Sequence, residues 1–240
     1  MARSERKLAA AKFRDAIARS NELHRGYLDE PTLLDSYDRF TTWQLHYMLS
    51  FFDDLIQTHD YADAVDFIVS DLAGVAVSKR DRDIERASGV IVNTLPLHPL
   101  ETAAAALELN AAALQINLAI LRELLVDGDL PGHIEESDYV RACRAASSYE
   151  ECMHLARLAG ELGKTLKTLV RVPLLGGLLR TMRAPAHAAG FGALQDFLET
   201  GFNRFRRIPD IDLFLEQLVE GLDDVFQRIY QLPDDEIRRG

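Results

Sequence analysis

An all-α fold, a single irregular or orthogonal bundle of about eight to ten helices, follows from three observations. Apolar side chains recur at steps of three and four in nearly every segment, the spacing of one helix face. The chain has only eight prolines and fourteen glycines in 240 residues, too few to interrupt such segments often. Ala, Leu, Glu, Arg and Asp dominate, a mixture that favours helix over strand. The β-like run Gly89-Val-Ile-Val92 is short and stands alone.

The elements follow in chain order. Leu8, Phe13, Ile17, Leu23 and Tyr27 predict a helix over 4–28. Pro31, after Asp29 and Glu30, occupies a first helical position and opens a helix to about residue 59. A third helix covers 61–72 and stops at Gly74. Ser78-Lys-Arg-Asp81 has the form of a capping box with Asp in place of Glu, and its helix ends near Leu95-Pro96. Pro99 starts a helix to 126, whose alanines at 103–106 and 111–113 permit close approach and place it centrally. Residues 127–132, Asp-Gly-Asp-Leu-Pro-Gly, read as a loop. Ser137 or Asp138 caps one long helix to about 172, interrupted by Pro173. Short helical pieces are expected between Pro173 and Pro185 and again over 187–207, and Pro209-Asp210 opens a last helix that ends before Pro233. We read 1–240 as one all-helical domain, with 1–40 as an N-terminal extension and the 127–132 loop as the one place where it would divide in two.

The net charge is −11. An acidic surface repels phosphate backbones, so nucleic acid is not an expected partner. The two cysteines, Cys143 and Cys152, provide no disulfide framework and fit a reducing compartment. The charged start, Met1-Ala-Arg-Ser-Glu-Arg-Lys7, leads into no apolar h-region, and no uninterrupted apolar run of about 18 residues is present. A cytoplasmic location without a membrane span is the expectation.

The common catalytic signatures are absent from the sequence: no GxGxxG, Walker loop, GxSxG or HExxH occurs. Glu151-x-x-His154 has the spacing of one half of a di-iron carboxylate site, but such a site requires a second unit and two more Glu. A solvent-facing polar pair is the simpler reading, and neither a metal nor a cofactor is expected. Nine positions apart on one helix, Cys143 and Cys152 would lie on nearly opposite faces, as small packing residues rather than a redox or metal pair. Arg80-Asp-Arg-Asp-Ile-Glu-Arg86 could hold a catalytic acid between arginines. Carboxylates so surrounded keep low pKa values and make poor acids, so capping and ion pairs at i,i+3 and i,i+4, such as Arg82 with Glu85, are expected instead.

From Trp43 onward the chain resembles a family of uncharacterised bacterial proteins named for an FFLEELY motif. The naming motif stands here in degenerate form as Phe67-Ile-Val-Ser-Asp-Leu-Ala73. Arg80–Arg86, Leu95-Pro96 and Ala106-Leu-Glu-Leu-Asn110 fit further blocks. The strongest likeness is Arg171-Val-Pro-Leu-Leu-Gly-Gly-Leu-Leu-Arg-Thr-Met-Arg-Ala-Pro-Ala186 with Ala189-Gly-Phe-Gly-Ala-Leu-Gln-Asp-Phe-Leu-Glu-Thr-Gly-Phe202. The resemblance implies an all-helical fold and no particular activity.

One segment breaks the acidic pattern. Residues 162–195 contain no Asp or Glu but carry Lys164, Lys167, Arg171, Arg180 and Arg183, with His187. The first three share a helix face at steps of three and four, and the next three repeat that spacing beyond Pro173. Leucines and Met182 lie between them, making a basic amphipathic segment of the kind that binds an anionic membrane surface, an acidic protein or a phosphate-bearing ligand. The competing expectation is internal: the acidic last helix, or Asp196 and Glu199, neutralises the cations within the fold while their stems cover apolar surface. The sequence thus reads as a non-enzymatic interaction protein with a candidate anion-binding face at Lys164, Lys167, Arg171, Arg180 and Arg183. A helical small-molecule-binding protein or enzyme is the alternative.

Overall fold

The computed structural model describes residues 2–25, 31–52, 61–67, 77–172 and 174–233. Ten helices and no strand are present among the described residues. They are α1 (Ala2–Leu23), α2 (Pro31–Leu49), α3 (Ala62–Phe67), α4 (Val77–Thr94), α5 (Leu97–Leu124), α6 (Glu136–Ala146), α7 (Tyr149–Val170), α8 (Leu175–Ala188), α9 (Gly192–Arg207) and α10 (Ile211–Gln231). The all-α expectation holds. The predicted ends at 26–28, 53–59 and 68–72, most of the degenerate motif and the side chains of the Ser78 capping box lie outside the described residues.

Helix α5 is the hub. It packs along α1 and also meets α2, α6 and α7. Its small residues explain this: Ala104 and Ala111 are buried against neighbours that a longer side chain would hold off. Over an 18-residue window its mean hydropathy is 1.5, so by length and composition α5 is apolar enough to cross a membrane. In the fold, α5 buries Leu100, Leu114, Leu118 and Leu121 among other helices. A smaller cluster joins α1 to the last turn of α4 and the first turns of α5 through Phe13, Val92 and Leu100. The larger cluster gathers α2, α6 and α10 around Phe40, Tyr139, Phe214 and Ile229. Among the large apolar residues of the helices and their ends, Leu114, Phe202 and Phe214 are buried, whereas Trp43, Phe51, Phe67, Leu107 and Phe197 are only partly so.

Two predicted boundaries are corrected. The long helix expected over 137–172 is two helices broken at Ser147-Ser148. The break carries its own signal: the Ser148 hydroxyl accepts from the Glu151 amide (3.3 Å), and the Glu151 carboxylate accepts from the Ser148 amide (2.9 Å), a reciprocal capping box. Pro185, expected to end a helix, lies inside α8, and the chain turns later at Gly190, whose φ is +80°. The 127–132 loop is confirmed as a tight reversal. Val126 and Asp129 exchange backbone hydrogen bonds of 2.9 and 3.0 Å across Asp127 and Gly128, both at positive φ.

Candidate functional site

Helices α7, α8 and α9 carry the basic segment, and the fold sorts its charges into two groups. Lys164 donates to Glu161 one turn earlier (2.9 Å). Lys167 donates to Asp212 at the start of α10, and this bond, reinforced by Arg171 and Lys164, holds the Asp212 carboxyl below its ordinary range. Arg183 Nε donates to Glu199 on α9 (2.9 Å), and His187 meets Asp196 (2.9 Å). Lys167, Arg183 and His187 therefore have the internal partners that the competing expectation anticipated, from α10 and from the Asp196–Glu199 stretch, while Lys164 is paired within its own helix. Arg171 and Arg180 make no hydrogen bond or ion pair with the described residues.

Those two arginines share a cleft of about 430 Å³ between the end of α7, the start of α8 and the end of α9. Arg206, which the sequence reading did not select, lines the same cleft, its guanidinium 5.6 Å from the centre of the Phe202 ring. It lies on α9 beyond the acid-free interval and joins the others only through folding. Gly176 lets α8 approach: a Cβ there would stand 2.8 Å from the Phe202 ring, closer than carbon atoms pack.

The apolar residues of the segment divide in the same way. Leu175 and Leu179 pack against the main cluster. Leu178 (57% exposed) and Met182 (46%) lie next to them on the same broad stripe but face water. Ahead of them, the α7–α8 turn presents Val172 (47%) and Leu174 (88%). Leu174 has φ +74°, a left-handed conformation that a Cβ-bearing residue adopts at a cost of about 1–2 kcal/mol. Helix α8 buries none of its residues fully, although its composition is that of an amphipathic core helix.

The other chemically suggestive groups are structural. Asp83 in the Arg80–Arg86 stretch is buried; it pairs with Arg86 and accepts from the Leu194 amide at the start of α9 (3.2 Å). Arg86 in turn donates to the Gly190 carbonyl (2.7 Å), so the stretch fastens α4 to the α8–α9 turn. Glu151 is engaged in capping α7. Cys143 and Cys152 do not sit on opposite faces of one helix. The break at Ser147-Ser148 puts them on α6 and α7, both buried near Tyr230, whose hydroxyl is 3.3 Å from the Cys152 sulfur. Burial pushes the Cys143 thiol up to about 12 and also raises Cys152, so both behave as small packing residues. At the edge of the large cluster, partly exposed Glu136 takes two hydrogen bonds from Arg228 (2.7 and 3.1 Å) and one from the Tyr47 hydroxyl (2.9 Å). Burial alone would raise the Glu136 carboxyl; the donors outweigh it and hold the group below its usual range.

A third feature is a groove of about 1290 Å³ between α1, α5 and α7, floored by Ala105, Leu109, Ala112 and Leu162 with His98 and His154 at its margin.

An all-helical protein with two apolar clusters around a hub helix and an outlying amphipathic helix is thus defined. The chain belongs to the family described as a domain of unknown function, DUF8198, whose profile matches residues 23–236. The match begins well before Trp43 and leaves out α1, the helix packed along the hub. No curated protein matches the chain, and no solved structure does.

Proposed function

We propose that this protein is a non-enzymatic binding protein that docks on an anionic membrane surface through the α7–α8 turn and the outer side of α8. The observation that carries the reading is the row Val172, Leu174, Leu178 and Met182, exposed beside two arginines, Arg171 and Arg180, that make no hydrogen bond or ion pair with the described residues. Water-exposed apolar side chains flanked by cations and free of acids are the composition of an interfacial helix. Both forces are of useful size: about 1 kcal/mol per cation near an anionic surface, and about 1.5–3 kcal/mol for each large apolar side chain fully withdrawn from water. The remaining acidic surface does not forbid docking, because charges more than a Debye length of ~8 Å away are screened at physiological salt.

Within this reading Lys164, Lys167 and Arg183 flank the face as paired cations, and Arg171 and Arg180 supply its free charge. A cytoplasmic, bacterial setting and kinship with the FFLEELY-motif proteins are part of the same reading, supported by the sequence blocks at 171–186 and 189–202 and by the low cysteine count. A small-molecule-binding protein is the second reading, favoured by the apolar groove between α5 and α7.

Vesicle flotation tests the proposal. The protein should float with vesicles containing about a third phosphatidylserine, not with pure phosphatidylcholine, and should release as salt rises toward 1 M. Leu174→Asp with Leu178→Asp should abolish flotation with little effect on the melting temperature, since neither side chain is in the core. Equal flotation of the variant, or none by the wild-type protein, overturns it; capture of an acidic protein instead would transfer the face to a protein partner.

A further inference from the structure

The three arginines around the α7–α8–α9 cleft require an explanation that a general basic face does not provide. They come from the residue that follows α7, from α8 and from α9, and line one concavity. Like charges gathered around a small space repel one another, and the one acid in the wall, buried Glu199, is already engaged by Arg183 on α8. A diffuse surface would be served as well by dispersed cations.

We infer that the cleft bounded by Arg171, Arg180 and Arg206 is a receptor for a phosphate-monoester group. Guanidinium forks match phosphate oxygens in pairs, which is why arginines from several directions suit this ligand better than a monoanionic carboxylate or a dispersed charge. The first turn of α8 borders the same space through Gly176 and Gly177, adding the positive end of a 14-residue helix. Asn203 supplies a neutral polar side chain on the α9 wall. Gly177 faces open space, with nothing within 4 Å of where its Cβ would be, so room for a tetrahedral oxyanion exists beside it. Phe202 closes the floor and holds Arg206 in cation–π contact.

The group could arrive on a lipid, as in phosphatidate, or on a soluble solute. The lipid source rests on the membrane reading above; the phosphate chemistry does not.

The experiment has two arms. In the first, vesicles of matched surface charge carry phosphatidate or phosphatidylserine. The wild-type protein should bind phosphatidate vesicles about fivefold or more tightly, a preference of the size that one added charge-assisted contact gives. Arg180→Gln with Arg206→Gln should remove that preference, so that both kinds of vesicle are bound equally, each more weakly by the charge lost from the face. In the second arm, inorganic phosphate is titrated without vesicles and the Nε–Hε resonances of the arginines are followed by NMR. Arg171, Arg180 and Arg206 should shift together and the others should not. Gly177→Glu, which puts a carboxylate into the open space, is a second variant and should eliminate both effects. Vesicle binding without a phosphatidate preference, or a preference that survives in both variants, overturns the phosphate site and leaves the membrane reading standing. No vesicle binding, with arginine shifts on adding phosphate, overturns the membrane reading and assigns the site to a soluble phosphate. An absence of shifts overturns the cleft itself.

Discussion

The two ends of α7 contrast. At its N-terminal end, against α6 and α10, the polar groups turned toward the core pair with complementary chemistry: Glu136 with Arg228 and Tyr47, Tyr149 with Asp223 (2.6 Å), Ser147 with Tyr230 (2.6 Å). Trp43, Tyr47 and Tyr139 pack ring on ring beside them. At the C-terminal end, α8 leans on α9 and touches α7 briefly, leaving apolar surface exposed and two arginines without a hydrogen bond or ion pair among the described residues. A polar group or apolar surface that folding leaves uncompensated is where a binding partner gains most. The first end explains stability; the second is where function is to be sought.

The largest effect should come from breaking the satisfied end. Tyr139→Ala removes a fully buried ring and should cost about 3–5 kcal/mol in denaturant unfolding. Next, Arg228→Met leaves Glu136 half-buried without its main donor and should cost about 1–3 kcal/mol. The same pair gives a pH signature. The Glu136 carboxyl is held below its ordinary value of 4.5 in the fold, so its contribution is fully present above pH 4.5 and is lost as pH falls through the folded value. Glu136→Gln should be less stable at neutral pH and should lose less on acidification, as urea midpoints would show.

At the α8 end the effects should be small or reversed. Leu174→Gly relieves the left-handed strain and should stabilise the protein by about 0.5–1 kcal/mol. Leu178→Ser and Met182→Ser should each change stability by no more than about 0.5 kcal/mol, because neither side chain is buried. Losses above 2 kcal/mol at these two positions would show that α8 is part of the core and would erase the contrast.

The sequence made the helices legible and much of the sorting between the two ends illegible. Apolar spacing found nearly every helix because period alone decides that question. The Ser147-Ser148 break escaped because neither Gly nor Pro marks it, although Ser148 and Glu151 spell a capping box. The run of cations from Lys164 to His187 was visible as composition, but which of them would be neutralised depended on Asp212, Glu199 and Asp196 arriving from other helices or across a turn. Arg206 was invisible for the same reason: its place in the cleft is set by the crossing of α8 over α9, not by any local pattern. The exposure of Leu178 beside the packed Leu175 likewise depends on how wide a neighbour α9 provides, which no periodicity encodes.

The central claim is that the outer side of α8 enters a membrane interface. A spin label at Leu178→Cys tests it most directly, and the buried, high-pKa thiols of Cys143 and Cys152 should leave that site the reactive one. With anionic vesicles, the label at 178 should gain accessibility to oxygen and lose it to an aqueous nickel complex, while a label at Arg141→Cys on α6 should stay in water. Equal aqueous accessibility at both positions, with the protein bound, would contradict the account.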